Sequence, residues 1–137
     1  MFRLLFDANH RVLLTRFFGT LSREDLSAAA ESARALMKRE GPVRGLIDFS
    51  DVQTIDVSIE HFVSRARKPA VLADGERVYV MPRPDLYGLG RMYGTYQGLA
   101  GNREPSVVRT LAEAYVSLGL TEPDFRPVPE STLDRLA

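Results

Sequence analysis

The sequence contains no cysteine, which excludes a disulfide framework, a thiolate nucleophile and a cysteine-ligated zinc site. It also lacks a surplus of either charge, since 18 Lys and Arg face 18 Asp and Glu. Nucleic-acid binding draws much of its affinity from neutralising phosphates and normally shows as a basic excess, so no nucleic-acid partner is expected. Histidine is scarce: His10 and His61 fall in separate segments and neither has a companion at ligand spacing, so no imidazole-based metal site is expected. No apolar run approaches the ~20 residues of a membrane span. Met1-Phe2-Arg3-Leu4-Leu5-Phe6 meets Asp7 too soon for a signal peptide, which leads us to expect a cytoplasmic protein without a membrane span.

What is present fits one α/β domain. The 137 residues are 45% hydrophobic and 26% charged, enough chain for a true core without covalent staples. Phe2, Leu4 and Phe6, then Val12 to Phe18, read as two strands joined by a turn at Asp7-Ala8-Asn9-His10, whose short polar side chains suit such a turn. Ser22 caps an amphipathic helix carrying Leu26, Ala29, Ala33, Leu36 and Met37, which Gly41-Pro42 ends. Val43 to Phe49 reads as a short buried strand interrupted by Asp48. A helix is expected from Ser58 to Lys68, a strand over Arg77 to Met81, a helix over Leu86 to Ala100, a short strand at Val107 to Arg109, and a last helix opened by the Thr110-x-x-Glu113 capping box and closed by Gly119. The order β-β-α-β-α-β-α-β-α predicts a mixed, mainly parallel sheet with an N-terminal antiparallel hairpin and about four helices. The domain should occupy residues 1–120. Residues 121–137, with Pro123, Pro127 and Pro129 among polar residues, should form an extended or loosely docked tail, with one helical turn at Leu133 and Leu136.

Sites in such sheets lie beyond the carboxyl ends of the strands, which directs attention to Asp48 through Ser58. Ser58, Glu60 and His61 are close in sequence, but no G-x-S-x-G elbow accompanies them and a cap serine before a histidine is ordinary helix chemistry. Asp48, Asp51, Asp56 and Glu60 offer carboxylates of the kind magnesium prefers, although strand-end aspartates usually form turns; neither metal nor cofactor is assigned. Gly88-Leu89-Gly90-Arg91-Met92-Tyr93 has tyrosine where a dinucleotide fingerprint needs glycine. Gly90, Gly94 and Gly98 form a helical stripe, while Leu89, Tyr93, Tyr96 and Ala100 should face the core. Three readings of the stripe stand: an oligomer contact between two copies, a soft helix over an apolar pocket, or a short helix followed by irregular chain. Arg65, Arg67, Lys68, Arg77 and Arg83 are the basic concentration, which reads as a solvated rim or as a site for an acidic partner or phosphate.

Arg44-Gly45-Leu46-Ile47-Asp48-Phe49-Ser50-Asp51-Val52, Tyr87-Gly88-Leu89-Gly90-Arg91-Met92 and Val107-Val108-Arg109-Thr110-Leu111-Ala112-Glu113-Ala114 together resemble the SpoIIAA-like family of the STAS superfamily. The resemblance covers about Val12 to Leu120 and rests mostly on hydrophobic pattern. It implies a compact mixed sheet with helices, as in anti-sigma-factor antagonists and related regulators, a fold also likened to that of CRAL-TRIO lipid-transfer proteins. Phosphorylatable antagonists carry an Asp-Ser-Ser/Thr-Gly type motif where a helix begins. Here Asp56 and Ser58 match, whereas Val57 and Ile59 replace a hydroxyl residue and the glycine.

These readings predict a non-catalytic regulatory module whose protein-partner surface comprises Asp48, Asp51, Asp56 and Ser58, with Ser58 as a phosphorylation switch. The alternative is a carrier or sensor of a small apolar or lipid-like ligand, held by Leu86, Leu89, Met92, Tyr93 and Tyr96. A homodimer through the glycine stripe is compatible with either.

Overall fold

The computed structural model describes residues 1–69 and 75–129. Phe2–Asp7 (β1) and Val12–Ser22 (β2) form the antiparallel hairpin. Asp7 closes its turn by accepting the His10 N–H at 2.9 Å, the local side-chain bond that favours aspartate there. Arg23–Glu40 (α1) starts at a reciprocal cap: the Ser22 hydroxyl accepts the Asp25 N–H at 3.1 Å and the Asp25 carboxylate accepts the Ser22 N–H at 3.3 Å. Gly41, at φ 82°, turns the chain out of the helix and donates its N–H to Met37 at 2.8 Å. Next come Arg44–Asp56 (β3), Ile59–Ala66 (α2), Arg77–Val80 (β4), Pro84–Leu99 (α3), Ser106–Val108 (β5), Leu111–Leu118 (α4) and Arg126–Pro127 (β6).

The six-stranded sheet has the order β5-β4-β3-β2-β1-β6. β2, β3, β4 and β5 run parallel to one another, and β1 is antiparallel to both β2 and β6. This is the mixed, mainly parallel architecture expected. Strand alternation gives two different faces. Val12, Leu14, Leu46, Val78 and Val80 pack with Ala114 and Leu118 of α4. Phe17, Phe49 and Met81 point the other way, toward Ala29 of α1, Phe62 of α2 and Leu86 of α3. On that second face an aromatic row crosses the sheet from Phe2 to Phe17, Phe49, Tyr79 and Tyr93, with successive ring centroids 6.1, 5.2, 6.1 and 5.8 Å apart.

Three local readings change. β3 does not stop near Phe49 but continues to Asp56, because two irregularities in its pairing with β2 let a polar stretch stay in register. Residues beyond Thr121 return to the sheet: Leu5 and Phe6 pair with Pro127 and Arg126, and the Val128 N–H reaches the Leu4 carbonyl at 3.0 Å. The helical turn anticipated at Leu133 and Leu136 lies outside the described residues. Finally, α3 presents a different face to the core. Leu86, Gly90, Gly94 and Gln97 are its buried residues, while Leu89, Tyr93 and Tyr96 are half-buried and Ala100 is exposed. The glycine stripe lies against the chain's own β4–β5 region. A Cβ on Gly90 would overlap the Met81 Sδ, and one on Gly98 would approach Glu104 Oε1 to 2.6 Å. Close packing within the chain thus accounts for glycine at Gly90 and Gly98, whereas a Cβ on Gly94 would meet Pro105 only at an ordinary 3.7 Å.

Candidate functional site

β2 and β3 outrun their neighbours. β1 follows β2 only to Phe17 and β4 follows β3 only to Asp48, so Phe18–Ser22 and Asp51–Asp56 continue as a two-stranded ribbon. Unpaired ribbon edges would expose backbone groups to other chains. One edge is covered where Phe18 donates its N–H to the Met1 carbonyl at 2.9 Å and the terminal amine reaches the Thr20 carbonyl at 3.3 Å. On the other edge the Arg83 guanidinium donates to the carbonyls of Gln53 at 2.9 Å and Val52 at 3.4 Å.

Asp51 opens the ribbon opposite Phe18, Asp56 and Ser58 stand at its far end, and all three are exposed. Ser58 caps α2, its hydroxyl accepting the His61 backbone N–H at 3.1 Å. The His61 ring does not serve as its base. Asp48 differs from these three in burial. It is only 1% exposed; its carboxylate accepts from Arg16 Nε at 3.2 Å and from the Ser50 N–H and hydroxyl at 2.9 and 2.5 Å. In register Asp48 lies opposite Arg16 and Asp56 opposite Ser22, six positions along β2 or about 20 Å at strand rise. Alternation from Leu46 also turns Asp48 toward the α4 side. The structure therefore brings Asp56 and Ser58 together at the exposed end, leaves Asp51 exposed at the ribbon's base about 13 Å back along the strand, and makes Asp48 an internal anchor. Glu60 is exposed, and among the described residues no three His, Asp or Glu side chains form a metal-like cluster.

A second site lies inside the helical layer. α2 leans on α3 rather than closely on α1 or the sheet, and the space left between α1, α2 and the sheet is a cavity of about 400 Å³. Phe17, Ile47, Phe49 and Met81 form its floor, and Leu26 and Phe62 are among its helical walls. Of the five residues expected to hold an apolar ligand, Leu89 and Tyr93 line this cavity. Leu86 is instead packed into the core at 1% exposure. Met92 and Tyr96 are half-buried elsewhere on α3, with the Arg67 guanidinium 5.6 Å from the Tyr96 ring centroid.

The cavity also holds polar groups that sequence reasoning assigned to other roles. Arg77, 4% exposed, alternates with Tyr79 and Met81 on the inward face of β4. Its terminal nitrogens donate to Gln97 Oε1 at 3.2 Å and to the Arg103 carbonyl. Gln97 in turn donates to the carbonyls of Ala66 at 2.5 Å and Lys68 at 3.2 Å, fixing the end of α2. Arg77 Nε and His61 Nε2 are buried without a hydrogen-bond partner among the described residues; leaving such a group unsatisfied generally costs about 1–3 kcal/mol. Burial, then the neighbouring Arg65, Arg23 and Lys68, holds the His61 ring below its ordinary pKa. Burial, reinforced by Tyr93, pushes the Tyr79 hydroxyl far above its ordinary value. The available signal was the period-2 pattern Arg77, Tyr79, Met81, which places a cation on the inward face of a strand.

The mixed sheet with an opening hairpin and helices on both faces is a fold shared with a solved anti-sigma factor antagonist. The particular likeness is to the anti-sigma factor antagonist SpoIIAA in its unphosphorylated form, with a TM-score of 0.57 and 14% identity over 89% of this chain and 100% of that one. The likeness is one of fold. No family model and no curated protein matches the sequence. Among the described residues, no helix is long and apolar enough to cross a membrane.

Proposed function

We propose that this chain is a non-catalytic regulatory module that docks to a protein partner along the exposed β2–β3 ribbon and the cap of α2, using Asp51, Asp56 and Ser58. The observation that carries the reading is the exposed Ser58 hydroxyl at the cap of α2, in a fold shared with an anti-sigma factor antagonist. Phosphorylation of Ser58 is the switch in this reading. A phosphate there would gain about 0.3–1 kcal/mol from the helix end. Repulsion from Asp56 and Glu60 would be about 1 kcal/mol for each close pair in water. The repulsion exceeds the gain by about 1–2 kcal/mol, a small part of the ~5–15 kcal/mol that holds a typical domain folded, so modification would recharge the docking surface without unfolding the domain. Asp48 enters as the ion-paired anchor that fixes β3 where the ribbon begins. No cofactor is needed, and we assign the module to the cytoplasm.

The test uses a photoreactive amino acid at exposed Gln53, with a control at Val116, 83% exposed on α4. Cross-linking in the native cells should capture a defined protein from position 53 and not from 116. The capture should persist in Ser58→Ala and disappear in Ser58→Glu, with thermal melts confirming that both variants fold. Equal capture from the two positions, or indifference to Ser58→Glu, would rule the reading out.

A further inference from the structure

We infer that the cavity between α1, α2 and the sheet binds a small anionic amphiphile, a ligand with an acidic head and an apolar body of fatty-acid type. This does not depend on the docking surface at Ser58. The volume of about 400 Å³ falls within the ~300–1,000 Å³ of small-molecule sites. The lining decides the ligand's character. Phe17, Phe49, Phe62 and Ile47 offer apolar contact, while every charged lining residue, Arg34, Arg65, Lys68 and Arg77, is a cation and none is a carboxylate. Arg34 is already engaged by Glu31 at 2.7 Å; the other three form no salt bridge among the described residues.

The buried Arg77 Nε–H and the His61 Nε2, both without partners among the described residues, give the head its place. The Arg77 Nε–H donates to an anionic head, and the His61 ring, when its Nε2 carries the proton, offers a second donor in the same lining. A neutral alcohol meets the hydrogen-bonding need but gains no charge attraction, and a cationic head would be repelled. The mouth lies between α1 and α2, where the lining residues Ser27, Ser64 and Lys68 are exposed.

The test is calorimetric titration of the full chain with decanoate, decyl phosphate, decan-1-ol and decyltrimethylammonium, each below its aggregation concentration. Decanoate or decyl phosphate should bind once per chain, at least tenfold tighter than decanol, with no binding of the cation. Whichever anion is tighter identifies the head as carboxylate or phosphate. Ala30→Phe, which fills the cavity from α1, should abolish binding while leaving the thermal melt intact. Arg77→Met should erase the preference for anion over alcohol. Because Arg77 also holds Gln97, His61→Phe serves as the milder variant and should reduce that preference severalfold. Equal affinity for decanol and decanoate, binding undiminished in Ala30→Phe, or no binding of either anion would each overturn the inference. Cross-linking at Gln53 is unaffected by any of these results.

Discussion

Asp7 is fully buried at the turn of the hairpin, where its carboxylate accepts from the His10 and Asp124 N–H groups at 2.9 Å and contacts His10 Nδ1 at 2.8 Å. Burial by itself pushes this acid up, but the two backbone donors and the His10 ring together bring it below its ordinary 3.8. A folded-state pKa lower than the unfolded one means that the fold favours the ionised form. The resulting stability is present above the unfolded value and lost as pH falls through the folded one. Asp7→Asn should therefore lower stability near neutrality by about 1–3 kcal/mol. Urea unfolding should show the two proteins converging as the pH drops below about 4. Parallel curves across that range would show that Asp7 is not the titrating anchor.

At the scale of the element, α3 shows why helix propensity alone misjudges a helix. Gly88 is exposed with nothing within 4 Å of an added Cβ, whereas Gly90 faces buried Met81 and Val107. Gly88→Ala should stabilise by about 0.5–1 kcal/mol through propensity. Gly90→Ala should destabilise, because overpacking of about 1–3 kcal/mol exceeds that gain. Paired thermal melts check the opposite signs. The same contrast marks how far the sequence could be read. Ser22, Gly41, Thr110 and Gly119 announce helix ends through bonds to residues three or four positions away, so those ends were legible. Which face α3 buries depends on Met81, Pro105 and Val107, which only the folded sheet brings beneath it. The extension of β3 past Phe49 depends on irregular pairing with β2, a long-range fact with no local period. Ser58 was readable as a cap. The separation of Asp48 from it, and the standing of α2 away from the sheet, were not.

Over the whole molecule, the chain builds its sheet outward from β2 to β5 and then returns to place β6 on the opposite edge. Phe125 packs beside Tyr115 with ring centroids 6.3 Å apart, tying this return to α4. Ending the chain after Leu120 would strip both the β6 pairing and the Asp124 bond to Asp7. The truncated protein should melt lower and self-associate through β1 with rising concentration, as sedimentation velocity would detect. A monomer of unchanged stability would show that the returning segment is dispensable. During synthesis the order is unforgiving: β1 is made before β6, and its outer edge receives Arg126 and Pro127 only after the intervening strands and helices have been made. The nascent protein must therefore carry one bare strand while β2 to β5 and the four helices are made, a period in which a chaperone has a defined place to bind.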